Sequence, residues 1–154
     1  MTNPELLRVQ GLPRFEAIDA SQVKTHIPAL IQDLGEQLSA LESTLQQRLS
    51  DTTALSWDEV MTPLHNLGER LRWSWGVVSH LNGVCNSSEL REAHAAQQPE
   101  VVRFSNRAGQ SQVIHQALES LQRNPSHPLD SPQIRILDAE LLPMRHRGVH
   151  ISGH

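Results

Sequence analysis

The sequence predicts an all-α fold, a bundle built from antiparallel helical hairpins. Three observations lead there. Apolar residues recur at spacings of three and four along most of the chain, which places them on one face of a helix. Nowhere do they show the two-residue alternation of a half-buried strand. Clusters of Asn, Asp, Ser, Gly and Pro interrupt the pattern near residues 51–55, 82–88 and 124–130, where helices should end and begin.

Residues 1–20 contain Pro4, Gly11 and Pro13 without a helical period and read as an extended arm. A helical domain over residues 21–149 follows. Its first helix is lined by Val23, Ile27, Leu30, Ile31, Leu34, Leu38, Leu41, Leu45 and Leu49. Asp19 or Ser21 caps its first turn, and Pro28, which has no N–H to donate, should confine regular helix to the residues after about 27. The tetrapeptide SWDE at residues 56–59 has the capping-box form that opens a second helix. That helix presents Trp57, Val60, Met61, Leu64, Leu67, Leu71, Trp75 and Val78, with a slight bend expected at Pro63. Asn82, Gly83, Asn86, Ser87 and Ser88 should stop it near Gly83, and Ser87 or Ser88 should cap the next. Leu90, Ala93, Val101, Phe104, Ala108, Ile114, Leu118 and Leu121 continue the apolar face, divided into two or three pieces by Pro99 and Gly109. Asp130 caps a last helix lined by Ile134, Leu137, Leu141 and Met144, with Pro132 in its first turn. Arg145, His146 and Arg147 suit its C-terminal end, Gly148 is placed to stop it, and residues 150–154 read as an unstructured tail.

The 154 residues suit one domain of ordinary size, with 38% hydrophobic and only 3% aromatic residues. Thirteen basic against 17 acidic side chains leave a formal charge of -4, and no basic stripe marks a nucleic-acid surface. A single cysteine closes no internal disulfide and fits a reducing compartment. The first residues lack the charged start and apolar run of a signal peptide, and no stretch reaches the ~20 apolar residues that span a bilayer. A cytoplasmic protein with no membrane partner is the expectation.

Four groups invite a chemical reading. The first is VVSHLNGVCNSSELREAHAA, residues 77–96, with Cys85 between His80 and His94. Zinc sites favour short ligand pairs such as C-x₂-C or H-x₃-H, whereas these spacings are five and nine residues. His80 and Cys85 packed around a helix corner account for them better, with His94 on a partly wet face. A Cys–His nucleophile would need an orienting third group, and the sequence supplies none. The second is the set of nine histidines, none followed by Glu, so the H-E-x-x-H motif is absent. His146, His150 and His154 are spaced by four but straddle Gly148 and read as a frayed tail. The third is Trp57, Trp73 and Trp75. Residues two apart cannot share a helical face, so one of Trp73 and Trp75 should be core and the other should sit in a groove or against a partner surface, with a second core layer favoured over a ligand cage. The fourth is LRWSWG at residues 71–76 beside Arg70 and Arg72, weak footing for nucleic acid in an acidic chain. No catalytic, cofactor-binding or metal-ligating residue is assigned.

The segment VSHLNGV-x-NS-x-ELREAH is similar to the corresponding stretch of the thimet oligopeptidase family of zinc metallopeptidases, in its oligopeptidase A branch. Two further stretches follow the same family in order, LPRFEAIDASQVKTHIPAL at residues 12–30 and LDSPQIRILDAELLPMRHRGV at residues 129–149. The resemblance covers nearly all of residues 3–149. It departs at Ser88, where the pattern usually has Pro, at His94, often Tyr, and at Pro143. The resemblance implies the first part of a helical cap flanking a deep channel that admits only short peptides. The family's zinc ligands lie in the C-terminal part, on and after an H-E-x-x-H helix, so no histidine here is carried over as a ligand. The expected function is a non-catalytic helical domain with no cofactor of its own. It has as partner a catalytic domain or peptidase fragment, zinc residing in the full-length family. A docking subunit of a separately encoded peptidase, or a peptide-binding module using Trp73 and Trp75, are the other readings.

Overall fold

The computed structural model describes residues 18–85 and 87–146, without the side chains of Cys85, Met144, Arg145 and His146. The expected arm up to residue 17, the Asn86 turn, the tail, and His150 and His154 lie outside the described residues.

Five helices follow one another: α1 Ala20–Ser50, α2 Trp57–Cys85, α3 Ser88–Gly109, α4 Gln112–Arg123 and α5 Ser131–His146. Among the described residues there is no strand, only an isolated parallel bridge between Leu55 and Pro125, where Ser126 N–H donates to Leu55 C=O at 2.8 Å. The all-α expectation holds.

Each helix start is held by a side chain that satisfies an otherwise unpaired amide. Asp19 Oδ1 accepts from Gln22 N–H at 3.0 Å and from the Ser21 hydroxyl at 2.6 Å. These bonds, the Ser21 hydroxyl first, hold the Asp19 carboxyl below its usual range. Ser56 and Glu59 form the full reciprocal box: Glu59 N–H donates to Ser56 Oγ at 3.1 Å and Ser56 N–H donates to Glu59 Oε2 at 2.8 Å. Ser87 Oγ accepts from Leu90 N–H at 3.3 Å, and Ser111 Oγ from Ile114 N–H at 3.4 Å. Asp130 and Gln133 make a second reciprocal pair, at 2.8 and 3.0 Å.

Four prolines lie inside helices beyond the first turn: Pro28, Pro63, Pro99 and Pro143. Pro28 does not delay α1, and Pro99 does not divide α3, contrary to the sequence expectation. Pro28, Pro99 and Pro143 are exposed. The carbonyl four residues earlier, deprived of its donor, then faces solvent, and packing on the opposite side carries the helix through. Beside Pro28, Ile27 is fully buried and Leu30 nearly so. α2 also passes Gly83 and ends at Cys85.

The described chain divides into two compact units. One comprises residues 18–36 and 66–105, the other residues 37–65 and 106–146. The core of the first is built from Val23, Ile27 and Leu34 of α1, Val78 and Leu81 of α2, and Ala93 of α3, all essentially inaccessible to solvent. In the second, Leu38 and Leu45 of α1 and Leu55 with Val60 are buried, as are Ile114, Leu118 and Leu121 of α4 and Leu137 and Leu141 of α5. Arg48 ties the corner after α1. Its guanidinium donates to both Glu59 oxygens at 3.2 and 3.3 Å, to Ala54 C=O at 3.2 Å and to the Thr53 hydroxyl. The turn between them holds Thr52 at φ 57°, a left-handed conformation that crowds a β-branched side chain.

Candidate functional site

The corner singled out in the sequence is the end of α2 and the start of α3. Trp75 and Ser79 stand one turn apart on α2 and meet His94 of α3. The indole and imidazole stack with centroids 4.6 Å apart and planes at 17°. The Ser79 hydroxyl lies 3.3 Å from His94 Nε2. His94 is therefore a packing partner with a hydrogen bond, half-buried as expected. His80 is exposed, so the expectation that it packs into the corner is corrected. The side chain of Cys85 lies outside the described residues.

A shallow groove of about 300 Å³ runs along α2, lined by Glu69, Arg72, Trp73, Gly76, Val77 and His80. Spaced by three and four, these residues form one helical stripe. The Trp73 Nε1–H is buried without a hydrogen-bond partner. The expectation that one of Trp73 and Trp75 belongs to the core is corrected: both are half-buried, as is Trp57. Trp73 borders the groove while Trp75 supports the histidine. Indole rings are large enough to be shared between core and surface, so a two-way assignment was too coarse.

The basic residues beside the tryptophans are neutralised. Arg70 pairs with Asp33 at 2.7 Å, and Arg72 pairs with Glu69.

The second unit has a wider groove of about 490 Å³, lined by Glu42, Ser43, Gln46, Gln47, Ser50 and Val113. Glu42 accepts there from the Ser111 hydroxyl at 3.0 Å and from Arg107 at 3.3 Å, and Arg107 also donates to the Ser39 hydroxyl at 2.7 Å. The sequence reading passed over two residues of this unit. Ser111 caps α4, and His115, only 3% exposed, lies on α4. His115 Nε2 is 2.5 Å from Glu119 Oε1, but the approach is misaligned for a hydrogen bond, and both ring nitrogens are buried without one. The i,i+4 spacing of His115 and Glu119 was the available signal.

Chemically these groups amount to packing, capping and two open grooves. Among the described residues no three His, Cys, Asp or Glu side chains converge to hold a metal ion. No helix of the described residues is long and apolar enough to cross a membrane.

Comparison with known proteins gives these features their setting. Residues 27–154 match the family model for the neurolysin/thimet oligopeptidase N-terminal domain. A probable cytosolic oligopeptidase A of Arabidopsis thaliana is 33% identical over 141 residues, covering 91% of this chain and 19% of that protein. Oligopeptidase A of Haemophilus influenzae is 35% identical over 124 residues, covering 80% of this chain and 17% of its own length. Oligopeptidase A of Escherichia coli is 32% identical over 155 residues, 99% of this chain and 21% of that protein. The chain thus spans about a fifth of the length of the curated relatives it matches. It belongs to the neurolysin/thimet oligopeptidase family, and what it represents of that family is the helical N-terminal domain.

Proposed function

We propose that this chain is the non-catalytic N-terminal helical domain of a zinc oligopeptidase that degrades short peptides. In this reading it forms part of the wall that restricts access to the peptide channel. The observation that supports it is the match of residues 27–154 to the N-terminal domain in a sequence without H-E-x-x-H. A domain that gates rather than cuts needs rigid helices with well-fixed ends, and the capped, core-packed helices here meet that need. The domain itself holds no cofactor, and zinc belongs to the catalytic domain it accompanies. Its partners are that catalytic domain and, through the channel, short peptides, with neither nucleic acid nor membrane. The setting is the cytoplasm, in keeping with the relative named cytosolic, although another 33% identical relative is named organellar.

The test is a chimera in which these 154 residues replace the matching first segment of the Escherichia coli oligopeptidase A. The reading expects cleavage of short peptides with the parent's preference for short over long substrates. A chimera that folds and cuts short peptides but also digests unfolded proteins would remove the wall role. A second reading, a subunit that docks onto a separately encoded peptidase, draws support from exposed apolar residues on α5. Co-purification of the chain with a peptidase would favour it, and a monodisperse monomer with no partner would count against it.

A further inference from the structure

Besides its core face, α2 carries a second stripe. At 100° per residue, Trp73, Val77, His80 and Val84 fall within about 60° of one another, and no Asp, Glu, Lys or Arg enters that sector between Trp73 and Val84. Val84, at 63%, is the most exposed large hydrophobic side chain among the described residues. Trp73 is half-buried, and its indole N–H has no hydrogen-bond partner. The groove along α2 opens over this stripe, with the Arg72–Glu69 ion pair at its Trp73 end. On the flank of the stripe, Arg70 pairs with Asp33 of α1, whereas Trp75 and Ser79, turned away from it, meet His94 of α3. The stripe therefore lies on the α1 side of α2.

Only the segment 51–56 joins α1 to α2, so the two helices run antiparallel. With the Asp33–Arg70 pair as register mark, counting back from Asp33 to Ala20 matches counting on from Arg70 to Gly83. The start of α1 thus stands beside the Val84 end of the stripe. Ile18, just before α1, is buried at 8% exposure, so the chain reaches this unit at that end. The sequence leading up to it is apolar at Leu6, Leu7, Val9, Leu12 and Phe15. We infer that residues 12–17 of this chain lie along the Trp73–Val84 stripe and cover it. The stripe is about 16 Å long, the reach of about five extended residues. Pro13, and the restriction it places on Leu12, favour polyproline II, whose three residues per turn put Leu12 and Phe15 on one side about 9 Å apart. Val77 and Val84 are about 10 Å apart along α2, so Phe15 over Val84 sets Leu12 beside Val77 and Trp73. A backbone carbonyl of the same stretch is the acceptor that the Trp73 N–H lacks. The inference concerns this unit alone and does not depend on the peptidase reading.

The test is limited trypsin digestion of the 154-residue chain, timing cleavage after Arg14 and, as a control, after Arg91 inside α3. Val84→Asp should raise the first rate roughly tenfold, the scale of one lost apolar anchor, and leave the second unchanged. Val84→Leu should leave both unchanged. So should Val102→Asp, at a 49% exposed position on α3. Cleavage after Arg14 that is equally fast in wild type and Val84→Asp overturns the inference. A rise at both sites overturns it too, because Val84 then supports its own helices. If cleavage after Arg14 is unchanged while Val84→Asp turns a dimer into a monomer by sedimentation, the stripe belongs to a second copy of the chain and the inference falls.

Discussion

Glu59 is the most informative single perturbation, because one carboxylate holds two partners at the corner between α1 and α2. It accepts from Ser56 N–H at 2.8 Å and from Arg48 at 3.2 and 3.3 Å. Glu59→Ala removes the reciprocal half of the capping box, about 1 kcal/mol. It also removes the Arg48 pair, whose side chains are 29% and 39% exposed, so water holds that contribution to about 0.5 kcal/mol. The expected loss is about 1.5 kcal/mol, a fall of about 0.5–1.5 M in the urea midpoint. Glu59→Gln keeps an acceptor for Ser56 and loses only the charge, so it should cost about 0.5 kcal/mol. The pH dependence has a definite sign. The Ser56 N–H first, and then Arg48, hold the Glu59 carboxyl below the usual carboxylate range. A depressed carboxylate adds stability that is complete above the unfolded value and is lost as pH falls through the folded one. The gap between wild type and Glu59→Gln should therefore close between pH 6 and pH 3. Urea titrations of the three proteins at both pH values measure this. Equal losses for Ala and Gln at pH 7, or a Gln penalty that does not shrink in acid, would refute the reasoning.

Other substitutions probe other links. Leu118→Ala opens a cavity at a fully buried position and should cost about 2–5 kcal/mol, measured by the same titration. Asp130→Ala should cost about 1 kcal/mol through loss of the α5 cap, whereas Asp130→Asn should cost less than half of that. Thr52→Asn should raise stability by about 0.5–1 kcal/mol, since Asn tolerates the left-handed φ of 57° better than a β-branched residue; a lower melting temperature would contradict it.

The parts of the fold legible in the sequence were those set by period and by end chemistry. The Val23–Ile27–Leu30–Leu34–Leu38–Leu45 series lies buried along α1, and the caps at Ser56, Ser87 and Asp130 stand where their residue types placed them. What misled was single-residue logic applied to proline. Pro28 and Pro99 remove hydrogen bonds, but on exposed sides of helices whose other sides are packed, and tertiary burial outweighs the local loss. The same limit applies to Ile134, which fits the periodicity of α5 yet is 45% exposed, because period shows which residues share a face and not whether a neighbour covers it. Leu55 was overlooked for the converse reason. It sits in a turn without periodicity, yet it bridges to Pro125 and is completely buried. At the candidate corner the spacing from His80 to Cys85 and His94 argued against metal ligation. The stacking of His94 on Trp75 could not be read, since it depends on how α3 returns against α2.

The central claim is that this domain contributes shape and no catalytic group. The most direct measurement is hydrolysis of an internally quenched short peptide by the purified 154-residue chain, with and without added zinc and with a chelator control. The account predicts no turnover above the buffer rate in any condition. Zinc-dependent, chelator-sensitive cleavage that persists through repeated purification would contradict it.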